Sequence, residues 1–182
     1  VTTDDLLTKT RSYFPDDAKS IGDHLEKELG LWSLGDGKII YLLREDLDLD
    51  SDGSGLAGDP TSQPETSLRD AHGKSLNANT VPFFVLPGKW NHGIKLGDYG
   101  IIYTKTKLSG FICGDIGPRR KISEGSVEMH RRLGHETVFK GRLRDESLGQ
   151  IVRVLLFPGS GSGVYISNLD IHDKVMKLYE AM

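Results

Sequence analysis

A mainly β fold of the α+β class is what this sequence predicts, on two observations. Short apolar runs bounded by turn residues recur at 38–43, 81–86, 99–103, 108–113 and 151–157, each of strand length. Glycine is abundant, at 22 of 182 residues, and with a hydrophobic content of 37% it describes a turn-rich globular chain. That length suits one domain with a proper core, so 1–182 is read as a single domain.

Taken in order, residues 1–14 are polar and poorly patterned and are expected to form an extended arm. Asp16 and Asp17 can cap a helix whose apolar positions Ile21, Leu25 and Leu29 recur every four residues, with Gly30 as its stop. Residues 31–34 lead into a Gly-Asp-Gly turn, and 38–43 form a buried strand. The stretch 46–66, rich in aspartate, glycine and proline, is a loop. Residues 81–86, between two prolines, are a strand buried on both faces. The runs 99–103 and 108–113 make a hairpin across T-K-T-K. Residues 124–133 are expected to be a short helix with Val127 and Leu133 inward, ended by Gly134. After the strand at 151–157 comes a flexible turn at 159–163. Asn168 or Asp170 then caps a final helix carrying Ile171, Val175 and Leu178.

The chemistry is expected around 110–129. An apolar strand delivers Asp115 to a Gly-Pro turn, and Glu124 follows nine residues on. Two carboxylates flanking a tight turn, both at element ends, can face one cleft. Acid hydrolysis of a glycosidic bond needs such a pair, one to protonate the leaving oxygen and one to activate water or attack. The structural alternative is a capped helix with Glu124 near its positive N-terminus.

The D-x-G-P turn at Asp115 followed by E-x-S at Glu124 resembles the catalytic region of the fungal-type chitosanases, glycoside hydrolase family 75. Four upstream blocks continue the likeness in order, so that it spans 40–135: D-L-D-S-D-G from Asp48, Q-P-E-T-S from Gln63, N-A-N-T-V-P-F-F-V-L-P from Asn77 and G-D-Y-G-I-I-Y from Gly97. The resemblance implies a single catalytic domain that cleaves chitosan or chito-oligosaccharides internally with inversion, working as a secreted monomer without a cofactor. By analogy with barrel relatives Asp115 is then the general acid and Glu124 the general base, or the two exchange roles, with Phe111 or Ile116 as the acid's apolar wall. Gln63, Thr66, Ser67 and Ser126 would line the cleft, and Asp46, Asp48, Asp50 and Asp98 would hold sugar ammonium groups, with Glu128 a further candidate. The order of strand, turn, hairpin and carboxylate is also similar to double-psi β-barrels, the class of expansins and some endoglucanases. A six-stranded barrel of that kind with peripheral helices is the expected architecture. Two rivals stand beside this reading: another cell-wall glycan hydrolase or lytic enzyme on the same barrel, and an expansin-like carbohydrate-binding module that does not cut.

Other groups were weighed for other chemistry. Asp48, Asp50, Asp52, Gly53 and Asp59 occupy positions 1, 3, 5, 6 and 12 of a calcium-loop template, without flanking helices. The loop is a structural calcium site, a solvated acidic turn, or a set of carboxylates for a cationic sugar. His130 and His135, five apart, do not share a helix face, and no H-E-x-x-H occurs, so zinc is not expected. The G-S-G-S-G at 159–163 lacks both the phosphate-loop lysine and the setting of a nucleophilic serine. Trp90 either stacks on a sugar ring or anchors the core. The lone Cys113 is a small buried hydrophobe, and the basic run of Arg119, Arg120 and Lys121 is solvated unless it ionises a neighbouring carboxylate. A net charge of −3 argues against nucleic acid and is mild complement to a cationic polymer. No run reaches the roughly 18 apolar residues of a membrane span.

Overall fold

The computed structural model of the chain describes residues 1–15, 19–22, 25–90, 92–119, 121, 124–166 and 168–182, with the backbone only at 168–170. Its centre is an eight-stranded mixed sheet curled into a half-barrel. In chain order the sheet contains β1 (Glu28–Leu34), β2 (Ile39–Arg44), β3 (Asp48–Asp50), β4 (Phe83–Leu86), β5 (Tyr99–Tyr103), β6 (Leu108–Ile116) and β7 (Glu124–Ser126). After β7 come the helix α2 (Val127–Arg132) and a two-stranded hairpin, β8 (Val138–Phe139) and β9 (Arg142–Leu143). The eighth sheet strand, β10 (Val152–Phe157), inserts between β2 and β5, giving the order β1-β2-β10-β5-β6-β4-β7-β3. Pairing is antiparallel except where β4 meets β6 and β3 meets β7.

Both faces of the central strands are buried, and the period-two alternation of each strand divides its side chains between two cores. Ile101, Tyr103, Leu155, Phe157, Phe83 and Val85 belong to one core. Their neighbours Ile102, Val154, Leu156, Phe84 and Leu86 belong to the other. The first is completed by α1 (Thr3–Tyr13) through Leu6, and by α3 (Asn168–Glu180) through Ile171, Val175 and Tyr179. The second takes Met129 of α2. All five predicted strands are present, and the mainly β, α+β expectation holds.

Four local expectations are corrected. The stretch 46–66 is not loop throughout, because Asp48–Asp50 form β3, paired in parallel with β7. Residues 1–14 are no extended arm, because Thr2 and Asp5 form a reciprocal capping box that starts α1, and Leu6 and Thr10 are buried beneath it. The helix expected over Ile21, Leu25 and Leu29 is absent from the described residues. Ile21 N–H donates to the Leu31 carbonyl, Glu28 already opens β1, and Leu29 is exposed, while Asp16 and Asp17 lie outside the described residues. Glu124 opens a strand instead of a helix, and Ser126 caps α2. No described helix is long and apolar enough to cross a membrane.

Candidate active site

Strand β4 lies between β6 and β7, and its Val85 is the register partner of Asp115 on one side and of Glu124 on the other. Side chains paired across neighbouring strands share a face. The two predicted catalytic carboxylates therefore point the same way, two strand spacings apart, about 10 Å at the backbone. Strand alternation alone would have sent Asp115 to the face of Phe111 and Cys113. The β4–β6 register slips between Phe84 and Val85, so Gly114 is an extra residue and Asp115 turns to the Val85 face. A Cβ at Gly114 would lie 2.6 Å from the Phe83 Cβ, so the bulge needs a glycine there.

Above Val85 opens an acidic cavity of about 190 Å³ lined by Asp50, Asp52, Asp59, Asp115 and Glu124, with Gln63 and Ile116 at its walls. Asp115 is 6% exposed, and one oxygen accepts three hydrogen bonds: from Ser67 N–H at 2.9 Å, Ser67 O–H at 2.6 Å and Ile116 N–H at 2.8 Å. The Asp52 carboxyl is hydrogen-bonded to that of Asp115, and burial with the adjacent Asp115 charge pushes it up to about 6. Asp50 is pushed further, to about 8, by burial and then by the charges of Asp52, Asp115 and Glu124. Both therefore carry protons at pH values where ordinary aspartates have lost them. Asp52 in turn accepts from Gln63 N–H at 2.6 Å, and Asp50 from Asp52 N–H at 2.7 Å.

A chain of ion pairs runs along one wall. Lys121 bridges Glu124 at 2.9 Å and Asp48 at 3.2 Å, and Lys27 bridges Asp48 at 3.0 Å and Asp46 at 3.6 Å. Of the basic run, Lys121 is thus not merely solvated, and Arg120 lies outside the described residues.

Several predicted site residues have structural duties instead. Asp98 is 2% exposed and accepts from Lys95, Gly159 and Gly161 N–H, so it clamps the glycine turn and is no sugar ligand. Asp46 accepts from Leu47 and Gly149 N–H. Thr66 is buried and exchanges hydrogen bonds with Ser75, Leu68 and Leu76. Ser126 is fully buried, donating to the Val81 carbonyl and accepting from Phe83 and Met129 N–H. Glu128 pairs with Arg131 and Arg132 on α2. Phe111 is in the opposite core, so Ile116 is the apolar wall at this cavity.

The calcium-loop set is not gathered either. Asp48 faces two lysines, and Asp59 accepts from Ser51 and Thr61. The carboxylates that do converge are Asp50, Asp52 and Asp115, with one oxygen of each within 4.8 Å of the others. Gly53 keeps its turn role, with φ at +72° and a Cβ position only 1.9 Å from the Leu76 carbonyl oxygen.

His130 and His135 do meet, their Nδ1 atoms 2.9 Å apart, because the chain turns at Gly134 after α2 ends. Buried His130 is pushed down to about 4, and its Nε2–H donates to the Asp48 carbonyl, which leaves Nδ1 to accept from His135.

What the sequence missed is the partnership of Asp52 with Asp115. The D-x-D-x-D-G spacing flagged Asp52 as a metal ligand, part of a solvated turn or a sugar-binding carboxylate, but not as the partner of Asp115. Compared with known proteins, the chain matches no family model and no curated protein.

Proposed function

We propose that this protein is an endo-acting glycoside hydrolase that cleaves β-1,4 linkages between the glucosamine units of chitosan, with inversion. The observation that carries the reading is the common registration of Asp115 and Glu124 on Val85. It puts two carboxylates on one face, two strand spacings apart at the backbone. Inverting hydrolases separate their carboxyls by roughly 6.5–9.5 Å, against about 5 Å in the retaining class. Asp115 delivers to the leaving oxygen the proton held between it and Asp52, while Glu124, anchored by Lys121, takes the proton of the attacking water.

The five carboxylates of the cavity suit a cationic sugar. A glucosamine ammonium is attracted to them, whereas a neutral N-acetyl group gains nothing from their charge. Asp59 is the ammonium ligand in this reading, joined by Asp50 where the ammonium draws off its proton. The parallel pairings of β4 with β6 and of β3 with β7 support a kinship with double-psi β-barrels. A polymer that cells do not take up intact fits a secreted enzyme, acting as a monomer.

The convergence of Asp50, Asp52 and Asp115 favours one second reading, a hard cation held there by oxygen ligands in place of the shared proton. A calcium-dependent rise in Tm that Asp50→Asn removes would support it. The deciding experiment on the hydrolase is a reducing-end assay on highly deacetylated chitosan. Wild type releases ends, while Asp115→Asn and Glu124→Gln release none with unchanged circular dichroism. No release by wild type overturns the proposal.

A further inference from the structure

A cavity of about 250 Å³ lies between α1 and the strands β1, β2 and β10, and shares no residue with the acidic one. Its floor crosses three neighbouring strands in register, since Gly30 of β1 pairs with Leu43 of β2, and Leu43 with Arg153 of β10. The indole of Trp32 lies over Gly30, where any Cβ would meet the ring, so the glycine makes room for it. Tyr41 stacks on that indole and on Phe14 of the turn ending α1, with ring centroids 5.2 Å apart in each pair. An aromatic wall is therefore fixed at one end of the floor, and a guanidinium stands at the other.

Arg153 is the anomaly. It sits on a central strand beside Leu43 and Tyr103, its register partners, on the face that α1 covers through the Thr10–Tyr103 hydrogen bond. It is half-buried, and among the described residues its guanidinium makes no hydrogen bond or ion pair. A charge set against hydrocarbon without a counter-ion is costly. Arg11, on the α1 side of the same cavity, has no such partner either, although its place in the last turn is favoured by the helix dipole.

We propose that this cavity is a binding site for a single-ring organic anion, with a carboxylate or phosphate held between Arg153 and Arg11 and the ring against Trp32. Guanidinium forks match both anions. The aromatic wall suits a flat or C–H face, and the volume is below the roughly 300–1,000 Å³ of drug-sized pockets, which fits one ring. The site does not rest on the hydrolase reading, and its test reads binding alone.

That test is titration calorimetry of the whole chain with D-glucuronate, glucose 6-phosphate and benzoate, with D-glucose as the neutral control. At least one of the three anions binds one-to-one, more weakly as salt is raised, and D-glucose does not. Which of them binds distinguishes a uronic acid, a sugar phosphate and an aromatic acid as the source. Arg153→Gln and the exposed Arg11→Gln each weaken binding about tenfold, the worth of one charge-assisted hydrogen bond, with circular dichroism unchanged. Trp32→Leu weakens the ring anion and leaves inorganic phosphate unaffected. No binding of any of the three, equal binding of D-glucose, or an affinity untouched by both arginine substitutions overturns the site. Inorganic phosphate held as tightly as the best ring anion overturns the part given to the aromatic wall.

Discussion

Ser67 and Asp52 divide the work of holding Asp115. Both donors of Ser67 reach one carboxylate oxygen, and Asp52 hydrogen-bonds to the same carboxyl. Ser67→Ala removes the shorter of the two Ser67 bonds and leaves the backbone donor, so kcat on chitosan should fall about tenfold, the worth of one hydrogen bond to a charged group. A loss beyond a thousandfold would mean Ser67 does chemistry itself. Asp52 titrates near 6, and the proton it carries is the one the reaction uses. Activity should decline as pH rises through about 6, and Asp52→Asn should move that limb. An unmoved pH profile would remove Asp52 from the mechanism.

Three adjacent strands hold the pair, and the turn between β6 and β7 sets how closely Glu124 approaches. A Cβ at Gly117 would lie 3.0 Å from a Val85 methyl and 3.3 Å from a Glu124 carboxylate oxygen. Gly117→Ala should displace Glu124 and cost about 100-fold in kcat, the penalty of roughly 1 Å of misplacement, with Tm little changed. Equal kcat would show that Glu124 has slack. Far from the site, α1 is fastened to the sheet by a 2.6 Å hydrogen bond between Thr10 and Tyr103, both buried. Thr10→Val leaves the Tyr103 hydroxyl unsatisfied and should destabilise the fold by about 1–3 kcal/mol in urea titration, with activity intact below the transition.

For the protein as a unit, stability depends on pH through groups that oppose one another. The raised Asp50 and Asp52 contribute stability that is complete below 3.8 and lost as pH rises through their folded values of about 8 and about 6. The depressed His130 acts oppositely, its contribution present above 6.5 and lost as pH falls through about 4. Between 6.5 and 8 only Asp50 of these three is still titrating. Tm should fall with rising pH there, and Asp50→Asn should flatten the slope. A slope unchanged in the variant would contradict the burial of that carboxyl. Cys113 is fully buried and its thiol is pushed well above the ordinary range by burial and Asp98, so thiol reagents should label it only on unfolding.

The apolar runs that became β2, β4, β5, β6 and β10, and α3 with its buried Ile171 and Val175, were legible because local periodicity reports which side of an element is buried. The D-x-G-P and E-x-S motifs likewise pointed to Asp115 and Glu124. The helix drawn through Ile21, Leu25 and Leu29 failed because a four-residue recurrence also arises by accident: Ile21 N–H donates to the Leu31 carbonyl, and Leu29 lies in β1 itself. α1 was missed although Thr2 and Asp5 carry a capping box, since its face buries few apolar residues. Which of the other aspartates reach the cavity was only partly legible, since Asp50 was named together with Asp98. Asp98 and Asp50 look alike in sequence, yet one meets the backbone N–H groups of a turn 61 and 63 residues away while the other meets carboxylates. The bulge at Gly114, which turns Asp115 toward Glu124, exists only in the pairing of β6 with β4. Local spacing determines which residues can form strands and carry charge; the face each charge takes follows from register between distant strands, which no stretch of chain specifies alone.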